Sequence, residues 1–279
     1  MREPAVAGLF YPAAPGELAA TVDALLAAAS PGDGPGSPPG GSSGSSPAKN
    51  GALDAGAPAV RALVVPHAGY VYSGPVAATG YALLRAPGSP PARVVLLGPA
   101  HHVHLRGMAC AEAALWRTPL GEVEVERAPG IPADDGPHAD EHALEVQLPF
   151  LQRLVPGPFT IVPVAVGHTD PAQVADLLDE LEVSMPALVV VSTDLSHYFD
   201  APTATRLDRR TAEAVVALDV EAVGVQDACG AWALRGLLEH CRRHGRGMRL
   251  LDRRTSADTT GDPYRVVGYA SFAVASQGP

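Results

Sequence analysis

The feature that most constrains this chain is a repeated one: a short, β-branched apolar run, then a histidine within a few residues, then a helical pattern. The runs cover residues 60–65, 93–97, 160–166 and 187–191. Runs of this length without polar alternation are typical of strands buried on both faces. Residues 248–251 and 266–274 are further strand candidates. Between them, apolar residues at helical spacing predict helices over 17–29, 74–84, 141–155, 171–181, 206–218 and 231–244. Strand and helix alternating in this way predict an α/β layered sandwich, with a central, mostly parallel sheet flanked by helices.

One stretch departs from that rhythm. Residues 30–47 are Gly, Pro or Ser throughout except for Asp33, and small or polar residues continue to about residue 58. Such a segment has nothing to bury and cannot offset its ordering entropy, so 30–58 is expected to be a flexible insert. Only about 29 residues precede it, too few for a separate domain, so the expectation is one domain over 1–279.

The chain carries 20 Lys and Arg against 30 Asp and Glu, a formal net charge of −10, which argues against a nucleic-acid partner. No run approaches the ~20 apolar residues of a membrane span, and the start lacks the basic-then-apolar order of a signal peptide. A cytoplasmic protein with no membrane partner is expected. Three cysteines, Cys110, Cys229 and Cys241, are too few for a disulfide framework and are expected to be thiols.

The histidines point to chemistry. His67, His101, His168 and His197 each follow one of the four main apolar runs, at the strand ends where open α/β sheets place ligands. Imidazole is the commonest metal ligand and the usual acid–base group near neutral pH. A cluster of imidazoles with a carboxylate is therefore a metal site or an acid–base site. His67, His101, Asp194 and His197 are the core candidates. His102 and His104 are weaker, since adjacent side chains diverge, and His168 fits a solvated loop equally well.

Cys229 is the best candidate sulfur ligand. Asp227 stands where an N-cap would stand, which would put the thiol in the first turn of the helix over 231–244 and lower its pKa. A set of two imidazoles and one thiolate suits iron, copper or zinc, and ligand type alone does not choose among them. Glu141, His142 and Glu145 open the predicted helix over 141–155 and either line the pocket or complement the helix dipole. The sequence has no H-E-x-x-H, no phosphate-binding G-x-x-x-x-G-K-[ST], no C-x-x-C and no G-x-S-x-G.

Six motifs, in matching order from residue 2 to about 274, resemble the Memo family, called in prokaryotes AmmeMemoRadiSam system protein B. They are residues 2–12 (REPAVAGLFYP), 66–70 (PHAGY), 98–102 (GPAHH), 140–149 (DEHALEVQLP), 192–198 (STDLSHY) and 229–230 (CG). The resemblance implies a fold similar to the class III extradiol dioxygenases and a metal pocket whose ligands map onto His67, His101 and Cys229, with Asp194 and His197 alongside. It also implies iron or copper, redox chemistry, and pathway partners of the AMMECR-like and radical SAM kinds. Two departures stand out: the insert at 30–58, and Trp232 after Cys229-Gly230, which is expected to narrow the pocket.

The leading expectation is a metal-dependent oxidoreductase holding Fe(II) or Cu, with His197, oriented by Asp194, as the proton-transfer group. A thiolate in place of the carboxylate of a facial triad would change the potential. The alternatives are a binding or metal-delivery protein, taking a peptide or small molecule, and a zinc hydrolase.

Overall fold

The computed structural model describes residues 1–29, 60–85 and 92–275, so the predicted insert at 30–58 lies outside the described residues. In chain order the elements are α1 (Pro15–Ala28), β1 (Val60–Val65), α2 (Tyr70–Tyr81), β2 (Arg93–Gly98), β3 (Met108–Cys110), β4 (Leu115–Thr118) and β5 (Gly121–Val125). Then come α3 (Leu148–Leu154), β6 (Thr160–Val166), α4 (Pro171–Ser184), β7 (Leu188–Ser192), β8 (His197–Phe199), α5 (Ala201–Val216), α6 (Ala231–Arg243), β9 (Met248–Thr255), α7 (Ala257–Thr260) and β10 (Val266–Ala275).

The four main apolar runs become β1, β2, β6 and β7, which lie side by side and parallel in the order β6-β2-β7-β1. β5 continues the parallel set beyond β6, while β10 pairs antiparallel with β1. The sheet is open, and its two faces bury different halves of each strand. Leu63, Val65, Val94, Leu96 and Val190 point into one core with residues of α1, α2 and α3; Ala62, Val64, Val95, Leu97 and Val191 point into the other with residues of α4, α5 and α6. Period-two alternation with both sides apolar is why these runs read as continuous.

Three helices start elsewhere than their apolar spacing predicts. The helix predicted over 141–155 begins late: a 3-10 turn at Glu145–Gln147 leads into α3. The Glu141 carboxylate accepts the Ala143 N–H at 2.8 Å and so competes with the helical ladder at its own start. The helix predicted from residue 74 starts at Tyr70, whose N–H donates to Phe10 O. The helix predicted from residue 206 starts at Ala201, because Asp200 caps it by accepting the Thr203 N–H at 2.9 Å. The short strands β3, β4 and β5, of which β5 runs parallel to β6 and antiparallel to β4, have too little apolar periodicity to be legible in the sequence.

The candidate metal centre

Three adjacent parallel strands end at one place. β1 delivers His67, β2 delivers His101, and β7, which lies between them, delivers Ser192, Thr193 and Asp194. Cys229 reaches the same place from the loop before α6, fastened to the end of β7. Its N–H donates to Asp194 O at 3.2 Å, its Sγ accepts the Asp194 N–H at 3.2 Å, and the Gly230 N–H donates to Thr193 Oγ1 at 2.8 Å. Glycine is required here by close approach: a Cβ on Gly230 would lie 2.7 Å from Ser192 O and 2.8 Å from Thr193 Cβ.

One ligand atom each from His67, His101 and Cys229 lie within 4.8 Å of one another, and Cys229 Sγ is 3.2 Å from His67 Nε2. The tautomers follow from hydrogen-bond counting. The Ser192 hydroxyl has one proton, which it donates to Ala143 O at 2.6 Å, so the 2.9 Å contact with His67 Nδ1 requires the imidazole to donate. His101 Nδ1 lies 2.9 Å from the Glu141 carboxylate, an acceptor, and His197 Nδ1 lies 2.8 Å from Leu195 O. In all three rings Nδ1 carries a proton, so the neutral ring keeps its lone pair on Nε2. An outer oxygen that fixes the tautomer is the usual support of a metal-binding imidazole.

The environment shifts the acid–base groups strongly. Burial, reinforced by the neighbouring His101, lowers His67 to about 3, and burial beside His67 lowers His142 to about 4, so both are neutral at physiological pH. Burial also pushes Glu141 up, but its bonds from the His101 ring and from backbone N–H groups outweigh this and bring it down to about 2. Burial and the nearby Asp194 push the Cys229 thiol up to about 12. This reverses the expected lowering. Gly230, not Asp227, is the residue before α6, and Asp227 instead accepts the Gly224 N–H, so the half-buried thiol sits ahead of the helix rather than in its first turn.

The other predicted residues divide. His142 joins the cluster: its ring stacks on His101 at 4.9 Å and meets His67 edge-on at 5.3 Å, and the Phe10 ring lies tilted against it at 4.5 Å. Asp194 is buried, but its carboxylate accepts the His67 N–H at 2.8 Å, and the contact that orients His197 comes from Leu195 O. Glu145 is taken up elsewhere. It accepts from Arg2 and the Tyr11 hydroxyl at 2.6 Å each and from the Ala5 and Val6 N–H groups, clamping the N-terminal segment to the 3-10 turn before α3. His102, His104 and His168 are exposed, and Trp232 packs edge-on against His168 at 4.6 Å. Ser192 and Gln147 were not singled out; the signal for Ser192 was a hydroxyl ending an otherwise apolar strand, and Gln147 Nε2 donates to it at 2.9 Å.

Residues 2–273 match the family described as Memo-like protein. The chain belongs to the Memo family. A MEMO1 family protein of Methanopyrus kandleri is 36% identical over 97% of this chain and 98% of its own length. One from Aeropyrum pernix is 36% identical over 98% and 99%, and one from Thermotoga maritima 36% over 97% and 98%. This Memo-family chain therefore aligns with such relatives over nearly all of its length. Among its described residues no helix is long and apolar enough to cross a membrane, and all three cysteines are free.

Proposed function

We propose that this Memo-family protein binds a redox-active transition metal, Fe(II) or Cu, through His67 Nε2, His101 Nε2 and Cys229 Sγ, and works as an oxidoreductase on a small molecule. The observation that carries this reading is the convergence, within 4.8 Å, of one ligand atom from each of two imidazoles and a thiol, the Nδ1 of both rings being already engaged. Three protein ligands leave coordination positions open for substrate, as catalytic sites do. When bound, the ion supplies Lewis acidity and one-electron chemistry.

The chain's own residues do the rest. Ser192 and Glu141 hold the two ligand rings, and the Asp194 N–H, already bonded to Sγ, is placed to stabilise a thiolate. His197, whose Nδ1 is held by Leu195 O, is the group to accept a substrate proton at Nε2, and neutral His142, stacked on His101, is a second acceptor. Family association supplies the partners, an AMMECR-like protein and a radical SAM protein. A reducing cytoplasm, in which three thiols persist, is the compartment.

Anaerobic purification followed by metal analysis, electron paramagnetic resonance and O₂ uptake tests the reading. Stoichiometric iron or copper that His67→Ala removes is the expected result. Stoichiometric zinc with no redox signal would replace it with zinc hydrolysis, which the same two-nitrogen, one-sulfur set can support. No retained metal, with partner binding unaffected in His67→Ala, would leave only the scaffold or metal-delivery role.

A further inference from the structure

A second group of ligating side chains lies on the face of the sheet covered by α4 and α6, outside the centre described above. Asp179 of α4 faces His240 of α6 and His244 just beyond its end. Asp179 Oδ1 lies 2.6 Å from His240 Nδ1 and 2.8 Å from His244 Nε2, so two imidazole nitrogens converge on one carboxylate oxygen. The two rings are 4.7 Å apart, and one ligand atom from each of the three residues falls within 4.8 Å of the others. His244, the residue after α6, stays in register with His240 by donating its N–H to His240 O at 3.2 Å, so the two rings lie on one side of the helix end.

We propose that Asp179, His240 and His244 bind a second divalent transition-metal ion. Two imidazoles and one carboxylate select zinc, nickel or copper over magnesium and calcium, which take oxygen ligands. Binding exchanges the two N–H···O bonds for two metal–nitrogen bonds, and each neutral imidazole moves its single proton to its other ring nitrogen, so nothing is oxidised or reduced. For His240 that nitrogen is Nε2, which lies 3.6 Å from the Glu182 carboxylate, a ready acceptor. Arg246 gives up its 2.8 Å contact with His240 Nε2 and keeps its ion pair to Glu182, while Arg243 stays on Asp179 Oδ2. These two guanidinium groups offset part of the acidic charge, so the ion binds more weakly here than at the first centre.

The test is zinc titration of the full chain stripped with chelator, followed by calorimetry. Wild type takes two equivalents, His67→Ala/Cys229→Ala takes one, and adding His244→Ala to that variant takes none. His244→Ala alone keeps the first equivalent and loses the second. His244 is part-exposed at the helix end, and far-ultraviolet circular dichroism verifies that its replacement leaves the fold intact. The proposal is overturned if His67→Ala/Cys229→Ala binds no zinc, or if it binds one equivalent that His244→Ala does not remove.

Discussion

Cys229 Sγ lies 3.2 Å from His67 Nε2 across 162 residues of sequence. Because Ser192 holds the His67 proton on Nδ1, the thiol is the donor and Nε2 the acceptor. The pair therefore shares one proton that a metal ion would replace. Replacing Cys229 with Ala should abolish stoichiometric metal while costing only about 1–2 kcal/mol of apo stability, the penalty for an unpaired buried acceptor. Metal analysis alongside thermal unfolding separates the two effects, and full metal retention in Cys229→Ala would refute the ligand assignment.

The thiol's chemistry is equally open to test. With burial and Asp194 pushing it up to about 12, Cys229 in metal-free protein should be a sluggish nucleophile at pH 8. Its alkylation rate, obtained by subtracting Cys229→Ala from wild type, should still be climbing at pH 10. A plateau below pH 8 would show a thiolate that the present environment does not support.

Glu141 links stability to pH. Its carboxyl is held at about 2 in the folded protein, below its ordinary range. A depressed carboxylate contributes stability that is present above the unfolded value and lost as pH falls through the folded one. Between about pH 5 and pH 2 the metal-free protein should lose on the order of 3 kcal/mol through this group, and Glu141→Gln should flatten the curve. The same substitution weakens the support of His101 and should lower metal affinity about 10–100-fold.

The N-terminal clamp should be costly to break. Arg2 is buried, pairs with Glu145 at 2.6 Å, donates to Glu141 O, and stacks 4.4 Å above the Trp116 ring. Arg2→Ala leaves the Glu145 charge buried without its cation, a change worth about 3–5 kcal/mol. Arg117, which pairs with exposed Glu3 and Glu122, is the control: Arg117→Ala should move stability by less than about 1 kcal/mol in urea unfolding. Equal losses in the two variants would argue against the clamp.

Gly230→Ala should separate the cysteine from the sheet. Its new Cβ would press on Ser192 O and Thr193, so the loop has to withdraw. We expect a loss of about 1–3 kcal/mol, the usual range for overpacking, together with loss of metal. Retention of metal at wild-type level would mean that the loop tolerates the shift.

Much of this protein was settled by its sequence. The apolar runs that became β1, β2, β6 and β7 had to be doubly buried strands, since nothing else hides unbroken β-branched residues of that length. Where such strands end, polar side chains gather, and so His67, His101 and Asp194 were legible as a cluster before any coordinates. Cys229 was legible as a ligand candidate, but its acidity was not. That depends on where α6 starts and on how deeply the preceding loop is buried against Thr193 and Asp194. Likewise Glu141 and Glu145, four residues apart in one predicted helix, part company in three dimensions, one supporting His101 and the other holding Arg2. The four-residue spacing of His240 and His244 is visible along the chain, but their pairing with Asp179, 61 and 65 residues away, is not. Sequence carries periodicity and residue chemistry, which decide what must be buried and which groups can react. Only tertiary packing decides which side chains share an oxygen, a proton or a metal, because those contacts join residues as far as 162 apart in the chain.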